Sequence, residues 1–256
     1  MSRELILERI RTERICAIIR ALEEEVARDA MDAAVEGGFR FVEVTFNTPG
    51  AERLITRLAK RSELLVGAGT IMNVDEVDRA VGAGAKVIVS PIFDPAVVAA
   101  AGAHGCVTIP GTFTPTEMVT ARRGGADLVK LFPAPANVAD FIKSVLAPLP
   151  ELGIVPTAGV TESNFVEILD AGAVAVGFVR SLFVPSELAS KSYRAIETRA
   201  RSIVERVRSP RIHHGAQHRS ESGDDHVSRP RPRNRPRSRP RFTPTPTKPA
   251  EANPLG

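Results

Sequence analysis

Through its first 208 residues the chain alternates short runs of consecutive apolar residues with longer stretches whose apolar positions recur at helical spacing. Eight runs read as buried strands: ICAIIR (15–20), FVEVTF (41–46), LLVGAGT (64–70), VIVSP (87–91), VTIPG (107–111), LVKLFP (128–133), IVPTAG (154–159) and AVAVGF (173–178). Their starts lie 26, 23, 23, 20, 21, 26 and 19 residues apart, room each time for one crossover helix and two short loops. The entries EGGFRFVEV, GAGAKVIVS, RGGADLVKL and AGAVAVGF place glycine where a helix must turn into the next strand. Eight such units predict an α/β protein, a (β/α)8 TIM barrel over residues 1–208. A doubly wound open sheet fits less well, because GAGTIM (67–72) lacks the third glycine of a dinucleotide fingerprint.

Strand alternation sorts the side chains. If Val42, Val44 and Phe46 face the helices, Phe41, Glu43 and Thr45 face the barrel interior; in LVKLFP, Val129 and Leu131 face out and Lys130 and Phe132 face in. One carboxylate and one amine are thereby aimed into a single apolar space. Polar and special residues collect at the strand ends: Arg20, Asn47, Thr70, Pro91, Thr157 with Gly159, and Arg180 with Ser181. A barrel puts all of these on its C-terminal rim, where such enzymes bind substrates.

Charge divides the chain in two. Residues 209–256 carry ten Arg/Lys against four Asp/Glu, leaving 24 basic and 26 acidic residues in 1–208, so the basic balance belongs to the tail. The run RPRPRNRPRSRPRFTPTPTKP (229–249) is too poor in apolar residues to fold alone and predicts disorder beyond about Ser209. It has charge for a weak, salt-dependent polyanion contact but no stacking platform, so nucleic acid is not an expected partner. The opening MSRELILERIRTER lacks the apolar core of a secretory signal and no later run approaches a membrane span, which predicts a cytoplasmic protein. Cys16 and Cys106 fit no metal or redox spacing and read as buried thiols; His104 is the single histidine of the body and has no ligand spacing. No metal or cofactor is expected.

An inward lysine in apolar surroundings has its charged form disfavoured, leaving more free amine to attack a ketone. The iminium so formed draws electrons from a neighbouring carbon–carbon bond, and Glu43 is the inward carboxylate able to move the protons. A buried Lys130–Glu43 ion pair that merely fills the barrel is the competing reading, and a sugar-phosphate epimerase on the same barrel would leave Lys130 without a role.

FVEVTFNTP, VGAGT, VIVSP, IPGTFTPTE, LVKLFP and PTAGV, in this order, resemble the 2-keto-3-deoxy-6-phosphogluconate aldolases and their phosphogalactonate and 4-hydroxy-2-oxoglutarate relatives, from about Ile15 to about Pro185. The resemblance implies that Lys130 is a Schiff-base lysine, that Glu43 is the general acid/base, and that Thr70, Pro91 and Phe132 line the pyruvate half of a 2-keto acid substrate. It implies cleavage to pyruvate and glyceraldehyde 3-phosphate by a homotrimer. Where many members have arginine this chain has Asn47, and Arg20 can supply that charge to the substrate carboxylate. The phosphate end also departs from the family's glycine-rich cradle: Thr157, Ala158 and Gly159 are followed by Phe178, Val179, Arg180 and Ser181, so Arg180 and Ser181 become the expected phosphate contacts.

Overall fold

The computed structural model describes residues 1–209, and the expected disorder of the tail lies outside the described residues. After helix α1 (Arg3–Glu13) come β1 (Ile15–Ile19), α2 (Glu24–Glu36), β2 (Phe41–Thr45), α3 (Ala51–Ala59), β3 (Leu65–Gly69), α4 (Val74–Gly82), β4 (Val87–Val89), α5 (Pro95–Ala103) and β5 (Val107–Ile109). The chain continues with β6 (Gly111–Thr112), α6 (Pro115–Arg123), β7 (Val129–Leu131), α7 (Val138–Leu146), β8 (Ile154–Pro156), α8 (Phe165–Asp170), β9 (Val176–Phe178), α9 (Pro185–Ala189) and α10 (Tyr193–Arg208).

All strand pairs are parallel, in two ladders ordered β5-β4-β3-β2-β1-β9 and β6-β7-β8. The fifth expected strand is divided at Pro110, which has no N–H to donate to a ladder. The Pro110 carbonyl still accepts from the Lys130 amide (2.8 Å), and Leu128 N–H donates to Thr108 (3.2 Å), so β7 runs beside both halves. At the other seam the Val174 N–H donates to the Ile154 carbonyl (2.9 Å) on β8. The result is a curled parallel sheet of the (β/α)8 class, with hydrogen bonding thinned at two seams.

Local signals set the helix starts. Asn73, Asp94, Thr114 and Asn137 each accept a backbone N–H at an N-cap, and Thr114 with Glu117 forms a reciprocal capping box ahead of Pro115. At the turns into β2 and β9, Gly38 and Gly172 both take φ 108, a backbone few other residues adopt without strain.

The core has two layers, as alternation requires. Ala17, Val42, Val44, Val129 and Leu131 pack against the helices, whereas Cys16, Ile18, Phe41, Leu65, Val107 and Val155 fill the interior. Ile6 and Ile10 of α1 are fully buried in that interior cluster. Each contributes about 2 kcal/mol of apolar burial. An Arg3–Asp127 ion pair, whose Asp127 carboxylate also accepts from the Thr108 N–H, fastens this helix.

Candidate active site

Lys130 is the middle residue of β7, paired with Gly111 on one side and Val155 on the other, between two residues that face the helices. Its backbone is held by its own N–H and by Thr112 Oγ1, which donates to its carbonyl at 3.2 Å. The side chain is therefore directed inward by register. It is 9 % exposed, and Glu43 on β2 is 2 % exposed. Glu43 pairs in register with Ile18 and Gly67, but its carboxylate needs the next glycine along: a Cβ on Gly69 would lie 1.9 Å from Glu43 Oε1. Gly69 leaves the volume in which that carboxylate sits.

Burial dominates the electrostatics of both groups. It pushes the Lys130 ammonium below its ordinary value; Glu43 pulls it back up and Arg20 pushes it further down. It raises the Glu43 carboxyl above the usual carboxylate range, against the opposing charges of Lys130 and Arg20. The two feel each other's charge, yet among the described residues no direct ion pair joins them. A space-filling salt bridge is therefore not what holds Lys130 in place. Its Nζ instead lies 5.2 Å from the centre of the Phe132 ring. Phe132 is 42 % exposed and lies one residue past the end of β7 at Leu131, so it stands at the mouth beside the amine.

Above Glu43, exposed Arg20 reaches from the end of β1 to Thr70 at the end of β3, donating through Nη2 to Thr70 Oγ1 at 3.2 Å. Thr70 has φ 62. A β-branched residue there costs about 1–2 kcal/mol, a strain that folds tolerate mainly at functional sites. Thr45 and Thr48 share a hydroxyl hydrogen bond (3.0 Å), and Thr48 Oγ1 accepts the Ala21 N–H (3.4 Å), anchoring the loop that carries Arg20. Sequence reasoning did not single out Thr48 or Gly69; they were quoted within FVEVTFNTP and VGAGT, but the role of each depends on a neighbouring strand or loop.

Pro91 lies two residues beyond β4, where its carbonyl lies 2.0 Å from the position of a Gly111 Cβ, so only glycine fits opposite it. Thr157 Oγ1 is buried with no hydrogen-bond partner, one of two such side-chain atoms among the described residues, the other being Tyr193 Oη. An unsatisfied buried hydroxyl costs about 1–3 kcal/mol and marks a place for a ligand or water to bind. Gly159 (φ 68) accepts from Asn164 Nδ2, and Ser181 Oγ donates to the Val160 carbonyl at 2.7 Å, tying the loops after β8 and β9 together. Arg180 is exposed and lines a cavity with Arg20 rather than bonding to that turn. Asn47 is exposed beyond β2. Cys16 and Cys106 are buried free thiols. His104 pairs with Asp78 (2.8 Å) on the surface, away from these residues, and no cluster of three or more His, Cys, Asp or Glu suited to a metal occurs among the described residues.

A (β/α)8 barrel with a buried amine and a buried carboxylate beneath a rim arginine has the parts of an enzyme that makes and breaks carbon–carbon bonds. The chain belongs to the KDPG and KHG aldolase family, whose model matches residues 6–199. It is 37 % identical over 190 residues to the probable 2-dehydro-3-deoxy-6-phosphogalactonate aldolase of Rhizobium meliloti, covering 73 % of this chain and 90 % of the relative. To the KHG/KDPG aldolase of Escherichia coli it is 31 % identical, covering 73 % of this chain and 88 % of the relative. A solved structure described as native KDPGal superposes with a TM-score of 0.67 at 30 % identity, over 76 % of this chain and 94 % of the other. The protein is accordingly an aldolase, a carbon–carbon lyase with a small-molecule substrate. None of its described helices is long and apolar enough to cross a membrane.

Proposed function

We propose that the chain is a class I aldolase that cleaves 2-dehydro-3-deoxy-6-phosphogluconate to pyruvate and glyceraldehyde 3-phosphate through a Schiff base on Lys130. The observation that carries this reading is a lysine inside an apolar barrel whose ammonium is disfavoured by burial and is not locked in an ion pair. Free Lys130 Nζ attacks the C2 ketone, and loss of water from the carbinolamine leaves an iminium. Glu43 takes the proton of the C4 hydroxyl, directly or through water, as the C3–C4 bond breaks and its electrons collapse into the enamine. The aldehyde leaves, Glu43 returns the proton to C3, and hydrolysis frees pyruvate and Lys130. Arg20, held over the pair by Thr70, receives the substrate carboxylate in a charge-assisted contact. Pro91 and Phe132 border the pyruvate half, and the unpaired Thr157 hydroxyl offers a hydrogen bond to the bound chain. At the far end, the turn of Gly159 with Ser181 and Arg180 takes the phosphate.

A second substrate, 2-dehydro-3-deoxy-6-phosphogalactonate, is favoured by the name of the Rhizobium meliloti relative, and 4-hydroxy-2-oxoglutarate by the KHG members of the family. All three use the same Lys130 chemistry. Incubation with pyruvate and borohydride followed by peptide mapping tests it: the expected result is one reduced adduct, on Lys130, and none in Lys130→Met. A folded wild-type protein that gains no adduct, or gains it elsewhere, would sink the mechanism.

A further inference from the structure

Beside the barrel mouth lies a cavity of about 610 Å3, bounded by the β1–α2 loop on one side and by the segment from β9 through α9 on the other. Its walls are apolar, with Ile18, Val26, Val179, Phe183 and Leu188 facing it. Its charged lining is three cations, Arg20, Arg180 and Lys191, against one acid, Glu23, and all four are solvent-exposed. Lys130 and Glu43 are not among its lining residues. The partition between the two compartments includes Ile18, which belongs to the interior cluster, and Arg20, which bonds Thr70 over the catalytic pair.

A space of this size suits an organic molecule larger than pyruvate or a triose phosphate. Apolar walls would leave the hydroxyls of a sugar acid without partners, which costs free energy. An apolar body with one anionic head meets both features: the walls bury the body and the net positive rim takes the head. The Arg/Pro-rich run at 229–249 has the same sign as that rim and is a poor occupant.

We propose that this cavity is a second ligand site, for an amphipathic monoanion such as a medium-chain carboxylate, whose head engages Arg20, Arg180 and Lys191 and so competes with the anionic ends of the aldol substrate. A carboxylate that draws Arg20 into the cavity removes its hydrogen bond to Thr70 and its charge from above Glu43 and Lys130. Only the competition rests on the aldolase reading given above; the binding does not.

Calorimetric titration of the full-length protein with decanoate, below its micellar concentration, tests the site, with decylammonium as the control of opposite charge. One decanoate per chain is expected, with decylammonium at least about tenfold weaker. Lys191→Asn, which suits the left-handed backbone at that position (φ 54), and Ala189→Trp, which fills the cavity, should each weaken decanoate by about tenfold or more and leave cleavage kcat/KM within about twofold. In the wild type decanoate should raise KM without lowering kcat; in both variants that rise should shrink with the affinity. Equal binding of the two probes, or decanoate affinity unchanged in either variant, overturns the site. Binding there with KM unmoved overturns the competition. Calorimetry needs no turnover, so failure of the borohydride test leaves the cavity question decided on its own.

Discussion

At the residue scale, the features that disfavour charge on Lys130 carry a stability cost. The unfolded lysine titrates near 10.5 and the folded one below that, so between the two values the unfolded chain binds more protons and stability rises with pH. Glu43 has the opposite sense. Its folded value lies above 4.5, so the folded protein binds more protons in that window and stability falls as pH rises through it. Holding either group charged inside the apolar interior costs free energy. Lys130→Met, close in volume and without charge, is therefore expected to stabilise the fold by about 1–2 kcal/mol while abolishing turnover. Urea denaturation checks this: the gap between variant and wild type should narrow as pH approaches 10.5, and a destabilised variant would show that Lys130 has a structural partner after all. Lys130 and Glu43 were legible in the sequence because each is one ionisable residue in a strand-like run, where alternation leaves no other face.

At the element scale, β2 and β3 together make the Glu43 site. Their register pairs Thr45 with Gly69, and the Glu43 side chain occupies the space a Gly69 side chain would need. Gly69→Ala must displace the carboxylate, and kcat is expected to fall by about 100-fold from misplacement of the proton-transfer group. The cost in stability should stay within the overpacking range, about 1–3 kcal/mol. Steady-state kinetics beside a thermal melt separate the two; an unchanged kcat would mean that Gly69 does not govern where Glu43 acts. Strand positions and glycine turns could be read from the chain because they are local. The role of α1 could not: Ile6 and Ile10 stand isolated among charges, and only the barrel interior that receives them explains their burial.

At the scale of the whole molecule, the mildly acidic barrel and the basic tail are separable by composition. Deleting residues 209–256 is expected to leave cleavage kcat/KM within about twofold of the intact chain, and to abolish any retention on a heparin column at low salt. Loss of activity on truncation would tie the tail to the site. The homotrimer implied by the family resemblance belongs to this scale too. Light scattering should return three times the 27.5 kDa chain mass, and a value of one chain would remove that assembly.

The sequence by itself determined the number and order of the βα units, the inward direction of Lys130 and Glu43, and the gathering of special residues on one rim. Each follows from period-two alternation and from turn chemistry, which act over a few residues. Only the tertiary structure decided that Lys130 and Glu43 do not pair directly, that Arg20 bonds Thr70 above them, that Gly69 yields its volume to Glu43, and that Arg180 faces a cavity while Ser181 closes a turn. Those are relations between strands and loops distant along the chain. Their distances depend on how the curled sheet brings the rim together, and no local pattern encodes them.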